Sequence, residues 1–369
     1  MTTYFIRRLL LTIPTFIGVT LIVFMITRIV PGGPLERRIM EFRMASVSQG
    51  GGGGTTIVDS TSMIPETALN ELKKTFNLDK PAYVAYAIWL KNVFQLDLGQ
   101  SFFYKEPVWK MITSRFPISM TFGLTGFVLA YLVCIPLGIY KALKHGSPFD
   151  FVSSAIVFIG YSIPGWAMGV LLLLFFASGR FFDVMPLGGV HGTGYDELPR
   201  IVQSMEDRDE VSDEFGSFEW ERLSPLSKAI DTGYHMVLPV FCYMLGGFAT
   251  LTVLMKNALM ENLGQDYVRT GFAKGLTERR VVFVHTLRNS LIPLATGLGH
   301  ALSLIMAGSY LIEFVFNIDG LGYLGFNAIV QRDYAVVMGI LVINTLLTLF
   351  GNIFSDVLYA VIDPRIRFD

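Results

Sequence analysis

Charged residues are scarce in this chain of 369 residues. Aspartate, glutamate, lysine and arginine make up 16% of it, whereas an average soluble domain contains roughly 25%. Hydrophobic residues make up 52%, and the mean hydropathy is +0.51. This composition excludes a disordered chain, argues against a water-soluble enzyme of two domains, and is typical of a protein whose surface mostly faces lipid. The net charge of −1 argues against a polycation that binds nucleic acid.

Cysteine and the common catalytic motifs are also lacking. The two cysteines, Cys134 and Cys242, both lie in apolar runs, so we predict two buried thiols and neither a disulfide framework nor a metal site. The phosphate-loop motif G-x-x-x-x-G-K-[ST], the zinc motif H-E-x-x-H and the nucleophile motif G-x-S-x-G do not occur. The sequence therefore predicts no catalytic residue and no cofactor in this chain, and no ATP binding by a phosphate loop.

Long apolar runs are what the sequence does contain, and they predict an all-α membrane protein. A helix needs about 20 apolar residues to cross a bilayer, and six stretches are long enough. Pro136 and Pro164 interrupt the second and third, which favours packing in a bundle, and the third and sixth are expected to tilt, kink or extend beyond the lipid. The six predicted spans are residues 9–30, 120–140, 151–178, 236–255, 291–312 and 335–361.

Basic residues predict the orientation of these spans. The N-terminus, the 141–150 loop, the 256–290 segment and the C-terminal tail are short polar segments that hold 12 of the 29 basic residues. Short segments rich in lysine and arginine face the cytoplasm. We therefore expect both termini inside the cell and the two long loops, 31–119 and 179–235, outside.

The chain divides by these features into residues 1–30 with the first span, an external loop or subdomain over 31–119, and a core domain over 120–369 with the other predicted spans. A run of five glycines at 50–54 reads as a flexible linker. Helices are predicted over 65–76 and 82–94.

The second long loop, residues 179–235, is here called the acidic insertion. It holds twelve acidic and five basic residues without apolar periodicity. These features favour a solvated, mobile insertion without a packed core. The alternative is an electrostatic landing face for a partner or a cationic substrate.

Residues 256–290, here called the coupling segment, interrupt two spans with six basic and three acidic residues. Gly275 is predicted to end one helix, and Thr277 to cap the next through its hydroxyl, which gives a helix–turn–helix at the membrane surface. The residues alone leave two interpretations open: a basic loop that contacts lipid phosphates, or a surface that binds a partner.

This segment resembles the signature loop of membrane subunits of ATP-binding-cassette (ABC) importers. The form in dipeptide, oligopeptide and nickel permeases reads approximately D-Y-V-x-T-A-x-A-K-G-L and then H-x-x-R-N-x-x-I-P. Gly271 stands where that form usually has alanine. Further matches are Y-F-I-R-R-L-L-L-T-I-P at 4–14, D-L-G-Q-S at 97–101, G-S-Y-L-I-E at 308–313 and D-G-L-G-Y-L-G at 319–325.

The resemblance implies a type I ABC importer fold with external loop insertions, in the bacterial cytoplasmic membrane. It implies a second permease subunit, ATPase subunits that bind ATP and Mg²⁺, a periplasmic or lipid-anchored peptide-binding protein, and membrane lipid as partners. Within the family the resemblance is greatest to the Yej-type branch, which implies oligopeptides or microcin C-like modified peptides as cargo. The residues that it implies for ATPase coupling are Asp266, Tyr267, Arg269, Thr270, Ala273, Lys274, Gly275, Leu276, Arg279, Arg280, His285 and Arg288.

The alternative from another class is an ion- or proton-coupled secondary transporter. Such coupling usually uses carboxylates near the middle of the bilayer. Glu313 and Asp356 lie near predicted span ends instead, and the spans show no inverted repeat. A membrane scaffold or receptor is a weaker third interpretation, because the spans are rich in glycine and broken by proline. No residue of a substrate path is predicted.

Overall fold

A computed structural model describes residues 2–30, 79–213, 217–295 and 309–362, with side chains from residue 6 to residue 357 within these ranges. The described residues form helices and two isolated β-bridges but no strand. The all-α prediction is therefore confirmed for this part of the chain. In chain order, the helices are α1 (Thr2–Ile29), α2 (Ala82–Phe94), α3 (Val108–Leu143), α4 (Pro148–Ser162), α5 (Gly165–Phe176), α6 (Pro225–Leu263), α7 (Asp266–Ala273), α8 (Glu278–Arg280, Val281–Thr286 and Leu287–Ser290 in succession), α9 (Tyr310–Val315), α10 (Leu321–Val330) and α11 (Tyr334–Ile362).

Four of the described helices, α1, α3, α6 and α11, are long and apolar enough to cross a membrane. They contain the predicted second, fourth and sixth spans, and the first except for its last residue. Helices α3 and α6 have 36 and 39 residues, well beyond the predicted 120–140 and 236–255. At 1.5 Å per residue both helices are longer than the hydrocarbon core is thick, so each extends beyond it.

The predicted third span is broken into α4 and α5, which meet at an angle of 97°. Ile163 is extended (φ −97°, ψ 121°) and ends α4, because the ring of Pro164 disfavours a helical conformation in the residue before it. Of the tilt, kink or extension expected for this long stretch, the structure shows a kink, and the stretch is not one continuous helix. The predicted fifth span, 291–312, falls largely on residues 296–308, outside the described ranges, so the count of six remains a prediction.

Two compact units are distinguished by contacts within the chain. The first comprises residues 1–6, 115–324 and 347–369. Among its described residues, one apolar cluster surrounds Phe122 of α3, Leu238 of α6 and Phe316 just after α9. Cys242 belongs to this cluster, and both it and Cys134 are buried free thiols, as predicted.

The second unit comprises residues 7–114 and 325–346. Helix α2 ends at the predicted residues, 82 and 94, and its Tyr86 hydroxyl lies 2.9 Å from the Thr20 hydroxyl. The Ser101 hydroxyl donates to the Asp333 carboxylate (2.6 Å), which links the D-L-G-Q-S sequence to residue 333. The predicted linker at 50–54 and helix at 65–76 lie outside the described residues.

The acidic insertion has an apolar core of its own, which contradicts the expectation of a loop without one. Leu198, Val202, Val211 and Leu223 are buried against each other, with aromatic side chains around them. These residues are spaced irregularly between acidic ones and come from short turns. Hydrophobic periodicity therefore missed the core, because it detects only regular helices and strands.

Asp231 of α6 organises one side of this core. Its fully buried carboxylate accepts hydrogen bonds from the Gly192 amide and the Trp220 indole, both at 2.9 Å. The Nδ1 atom of His235, one helical turn later, lies 3.3 Å from the same carboxylate. The Asp231 carboxylate thereby links the segments that contain Gly192 and Trp220 to the start of α6.

A second link joins Glu206 to the N-terminus of α6. Ser224 caps this helix by accepting from the Ser227 amide (3.3 Å), and its own amide donates to the Glu206 carboxylate (3.0 Å). Hydrogen bonds from Ser224 and Ser227 hold the pKa of Glu206 below its ordinary value. The ionised form of Glu206 therefore stabilises the insertion.

Candidate coupling site

The coupling segment folds as the predicted helix–turn–helix. Helix α7 ends at Ala273, and Gly275 follows with φ +76°, in the left-handed region that favours glycine. The Gly275 amide donates to the carbonyl of Phe272 (2.9 Å), and the Leu276 amide donates to that of Gly271 (3.2 Å). The chain reverses through these bonds and enters α8, so Gly275 sets the angle between the two helices.

Thr277 takes the N-cap position of α8, yet its side chain accepts no capping hydrogen bond, so the predicted hydroxyl cap is wrong. Its backbone has the extended conformation of a cap (φ −65°, ψ 147°). The carbonyl of Thr277 accepts from the amides of Arg280 and Val281, both at 3.0 Å. The helix start is therefore formed by the backbone alone.

One face of the hairpin is buried. Val268 of α7 and Val281 and Val282 of α8 are nearly inaccessible to solvent. A β-carbon at Gly271 would lie 3.3 Å from Val281, tighter than ordinary contact. Glycine at this position therefore lets α7 lie close against α8 where the family form has alanine.

The middle of α8 is a π-helical turn over Val281–Thr286. The buried Thr286 hydroxyl donates to the carbonyl of Val281, five residues earlier, at 3.0 Å, and the Ser290 hydroxyl donates to the carbonyl of Thr286 at 2.9 Å. A π turn adds a residue to the helical repeat and rotates the residues that follow. No pattern in the sequence signalled it.

The predicted coupling residues lie away from the buried valines of the hairpin. Eleven of the twelve are exposed, and Leu276 is half-buried. The Asp266–Arg269 ion pair, at 3.6 Å and largely exposed, adds little to stability. The structure thus places all twelve on one short hairpin where they remain available to another molecule.

Three exposed apolar side chains that the sequence analysis did not single out complete this surface. Phe272, Phe283 and Val284 are each about half exposed, at 47%, 48% and 55%. In the sequence, each could have been found as an apolar residue in a polar segment at a position outside the buried face. Aromatic and arginine side chains together are enriched in protein interfaces. The arrangement suits binding of a protein partner, and the described residues contain no group of histidine, cysteine or carboxylate side chains that could hold a metal ion.

Glu313, an acid noted near a span end, is fully buried in the first unit. Its carboxylate accepts from the Ser119 hydroxyl (2.7 Å), the Tyr243 hydroxyl (3.1 Å) and the Tyr323 amide (2.9 Å). A β-carbon at Gly320 would lie 2.4 Å from the carboxylate. Glu313, the last residue of the G-S-Y-L-I-E motif, is therefore bonded to the D-G-L-G-Y-L-G motif through Tyr323. Both of its oxygens accept hydrogen bonds, which indicates a structural role.

A cavity of about 730 Å³ is lined mainly by residues of the acidic insertion. Hydrogen bonds from the Thr193 amide and hydroxyl, both 2.8 Å, hold the pKa of Glu197 in its wall below the ordinary value. That the acidic insertion is an electrostatic landing face for a partner or a cationic substrate remains a prediction. The titratable residues lining the cavity are Asp183, Asp196, Glu197, Arg200, Tyr234 and His235.

Comparison with known proteins identifies the family. Residues 134–368 match the family described as "Binding-protein-dependent transport system inner membrane component". The chain belongs to this family. It is 38% identical to the inner membrane ABC transporter permease protein YejB of Escherichia coli O157:H7, with 99% of each chain covered. It is 36% identical to the peptidoglycan transport system permease protein YejB of Agrobacterium fabrum, over 99% of this chain and 98% of the relative.

A third relative extends the comparison. The dipeptide transport system permease protein DppB of Escherichia coli K12 is 32% identical over 99% of this chain and 98% of its own length. The resemblance seen in the motifs is thus confirmed over the whole length. The chain is a multi-pass protein of the cytoplasmic membrane, and its family is the membrane permease component of ABC transporters rather than a catalytic component.

Proposed function

We propose that this chain is one of two permease subunits that enclose the path of an ABC peptide importer. The observation that carries the proposal is the exposed coupling hairpin, whose signature residues stand free of the buried face in a chain similar to peptide permeases over its full length. Peptides are the cargo class, either oligopeptides or microcin C-like modified peptides. A periplasmic or lipid-anchored binding protein delivers them.

In this proposal six helices cross the membrane, and both termini lie in the cytoplasm. The stretch 31–119 and the acidic insertion face outward, while 120–369 forms the core permease domain. The coupling segment then faces the cytoplasm, where ATPase subunits are found. The supporting observation is the distribution of lysine and arginine over the short segments.

The chemistry of energy conversion belongs to the partners. ATP and Mg²⁺ bind to ATPase subunits, and no cofactor belongs to this chain. The coupling hairpin binds an ATPase groove through its exposed basic and apolar side chains, and its turn at Gly275 transmits motion to the spans. ATP binding shifts the permease between inward-open and outward-open states because the ATPase binds the two states with different affinity.

Reconstitution tests the proposal against the secondary-transporter alternative. The chain is co-expressed with its second permease and ATPase subunits, placed in proteoliposomes with the binding protein, and supplied with a radiolabelled tripeptide. We expect uptake that requires ATP and the binding protein and that is insensitive to proton and sodium ionophores. Uptake without ATP that an ion gradient drives would contradict the proposal, and Glu313 would then be examined first.

A further inference from the structure

Asp150, in the first turn of α4, is a buried carboxylate with partners from three segments. The Nζ atom of Lys256 on α6 lies 2.7 and 2.8 Å from its two oxygens. Lys141 at the end of α3 lies 3.3 Å away, and His145 and the Gly146 amide in the α3–α4 turn lie at 3.2 Å. The carboxylate therefore joins α3, α4 and α6 at one point.

Lys141 holds the first turn of α4 independently of that carboxylate side chain. Its buried Nζ donates to the Asp150 carbonyl (3.0 Å) and to the hydroxyls of Ser153 (2.8 Å) and Ser154 (2.7 Å). Lys141 therefore keeps three hydrogen bonds if the Asp150 side chain is neutralised. The bond between Asp150 and Lys256 can therefore be removed while the bonds of Lys141 to the first turn of α4 remain. It is also the bond that connects this cluster to α6.

Lys256 is the first residue of the coupling segment. Beside it α3 and α6 are in contact, because a β-carbon on Gly138 would lie 2.6 Å from Met255. An apolar cluster of Ala142, Met255, Leu259 and Leu294 continues from this contact. Leu287 and Leu291 pack against the same cluster, so both ends of the coupling segment rest on the end of α3.

Stability alone does not account for charges at this place. A buried ion pair gains little over well-packed apolar side chains, because desolvation offsets the attraction between the charges. What this charge pair does supply is a charge-assisted link between α4 and α6, because both oxygens of Asp150 accept from the one ammonium group of Lys256. Such a joint transmits displacement between the helices that it connects.

We propose that Asp150 and Lys256 are positioning residues that carry movement of the coupling segment to α4. This inference rests on the proposed function. When the ATPase displaces α7 and α8, α6 moves with them, and the Lys256–Asp150 joint draws the first turn of α4 along. Helix α4 is one half of the helix pair bent by 97°, so the movement reaches the bend at Ile163 and Pro164.

The test measures transported tripeptide per ATP hydrolysed in the reconstituted complex. Asp150→Asn and Lys256→Met are expected to lower this ratio roughly twofold to thirtyfold, the range of coupling changes seen along such networks. Lys256→Arg retains the charge but replaces a compact ammonium with a larger planar guanidinium, so it is expected to restore the ratio in part. The matched control is Lys144→Gln, an exposed lysine in the same turn, which should leave the ratio unchanged.

The double variant Asp150→Asn/Lys256→Met separates positioning from folding. The double variant removes both members of the pair, and Lys141 keeps its hydrogen bonds to the Asp150 carbonyl, Ser153 and Ser154, so we expect the complex to assemble even where a single variant does not. We expect the double variant to assemble, bind the ATPase and remain uncoupled. A wild-type ratio in the double variant would overturn the inference, because the pair would then serve folding only, and so would a double variant that cannot assemble.

The outcomes also distinguish this inference from the proposed function. If the wild-type chain does not co-purify with an ATPase or import the tripeptide with ATP, the proposed function fails and the joint has nothing to transmit. If wild type transports and Lys256→Met keeps its ratio, the proposed function stands and the positioning role is wrong.

Discussion

Replacing Gly275 is the sharpest perturbation of the coupling hairpin. Its φ of +76° lies where residues with a β-carbon are strained, while an added β-carbon would meet nothing within 4 Å. The cost is therefore conformational and not a clash. The left-handed conformation costs roughly 1–2 kcal/mol for an ordinary residue, and less for asparagine. A β-branched residue is a worse fit than alanine.

These magnitudes predict a graded series. Because 1.4 kcal/mol corresponds to about tenfold in an equilibrium constant, Gly275→Ala should weaken ATPase binding roughly fivefold to thirtyfold. Gly275→Asn should have a smaller effect and Gly275→Val a larger one. The control is Gly264→Ala, at the end of α6, where φ is −77° and other residues fit.

The assay is affinity co-purification of the ATPase with the tagged permease, together with peptide-stimulated ATP turnover of the complex. Membrane yield and thermal stability of the permease in detergent should stay near wild type in all variants, because the turn is exposed. Equal binding across the three Gly275 variants, or an equal loss in Gly264→Ala, would refute the argument that the left-handed turn sets the docking surface.

Three further predictions concern the acidic insertion and the topology. Leu223→Ala should lower the stability of the insertion by about 2–5 kcal/mol, measured by hydrogen exchange, whereas Leu226→Ala, at an exposed position, should change it little; equal losses would contradict a packed core. The folded insertion holds the pKa of Glu206 below 4.5, so the stability contributed by its carboxylate is present above pH 4.5 and is lost as the pH falls through the lowered pKa. Glu206→Gln should reduce this acid sensitivity, measured by hydrogen exchange as a function of pH. An unchanged pH profile in the variant would contradict the role of Glu206. A cysteine replacing Ser204 should react with an impermeant maleimide in intact spheroplasts and one replacing Arg279 should not, and the reverse pattern would invert the topology.

Local patterns in the sequence predicted the local features of the structure. Helix α2 begins and ends where expected, since Pro81 and an apolar stripe mark it. The hairpin at 266–290 follows from one glycine between two polar helical stretches. Both features depend on a few neighbouring residues, so they can be predicted from the sequence alone.

Features that depend on distant residues were missed. The bonds of Asp150 with Lys256 and of Glu313 with Ser119 join residues 106 and 194 positions apart. The core of the acidic insertion is likewise assembled from short turns whose apolar residues have no period. The absent Thr277 cap shows that a suitable residue at a cap position does not ensure that its hydroxyl faces the helix.

Site-specific photocrosslinking tests the central claim most directly. A photoreactive amino acid is placed at Ala273 or Arg279, both exposed on the hairpin, and at Ser204 in the acidic insertion as control. In membranes that contain the whole transport complex, we predict crosslinks to the ATPase subunit from the two hairpin positions and none from Ser204. An ATPase that co-purifies with the permease yet crosslinks from neither hairpin position would contradict the account, because it would then be attached elsewhere.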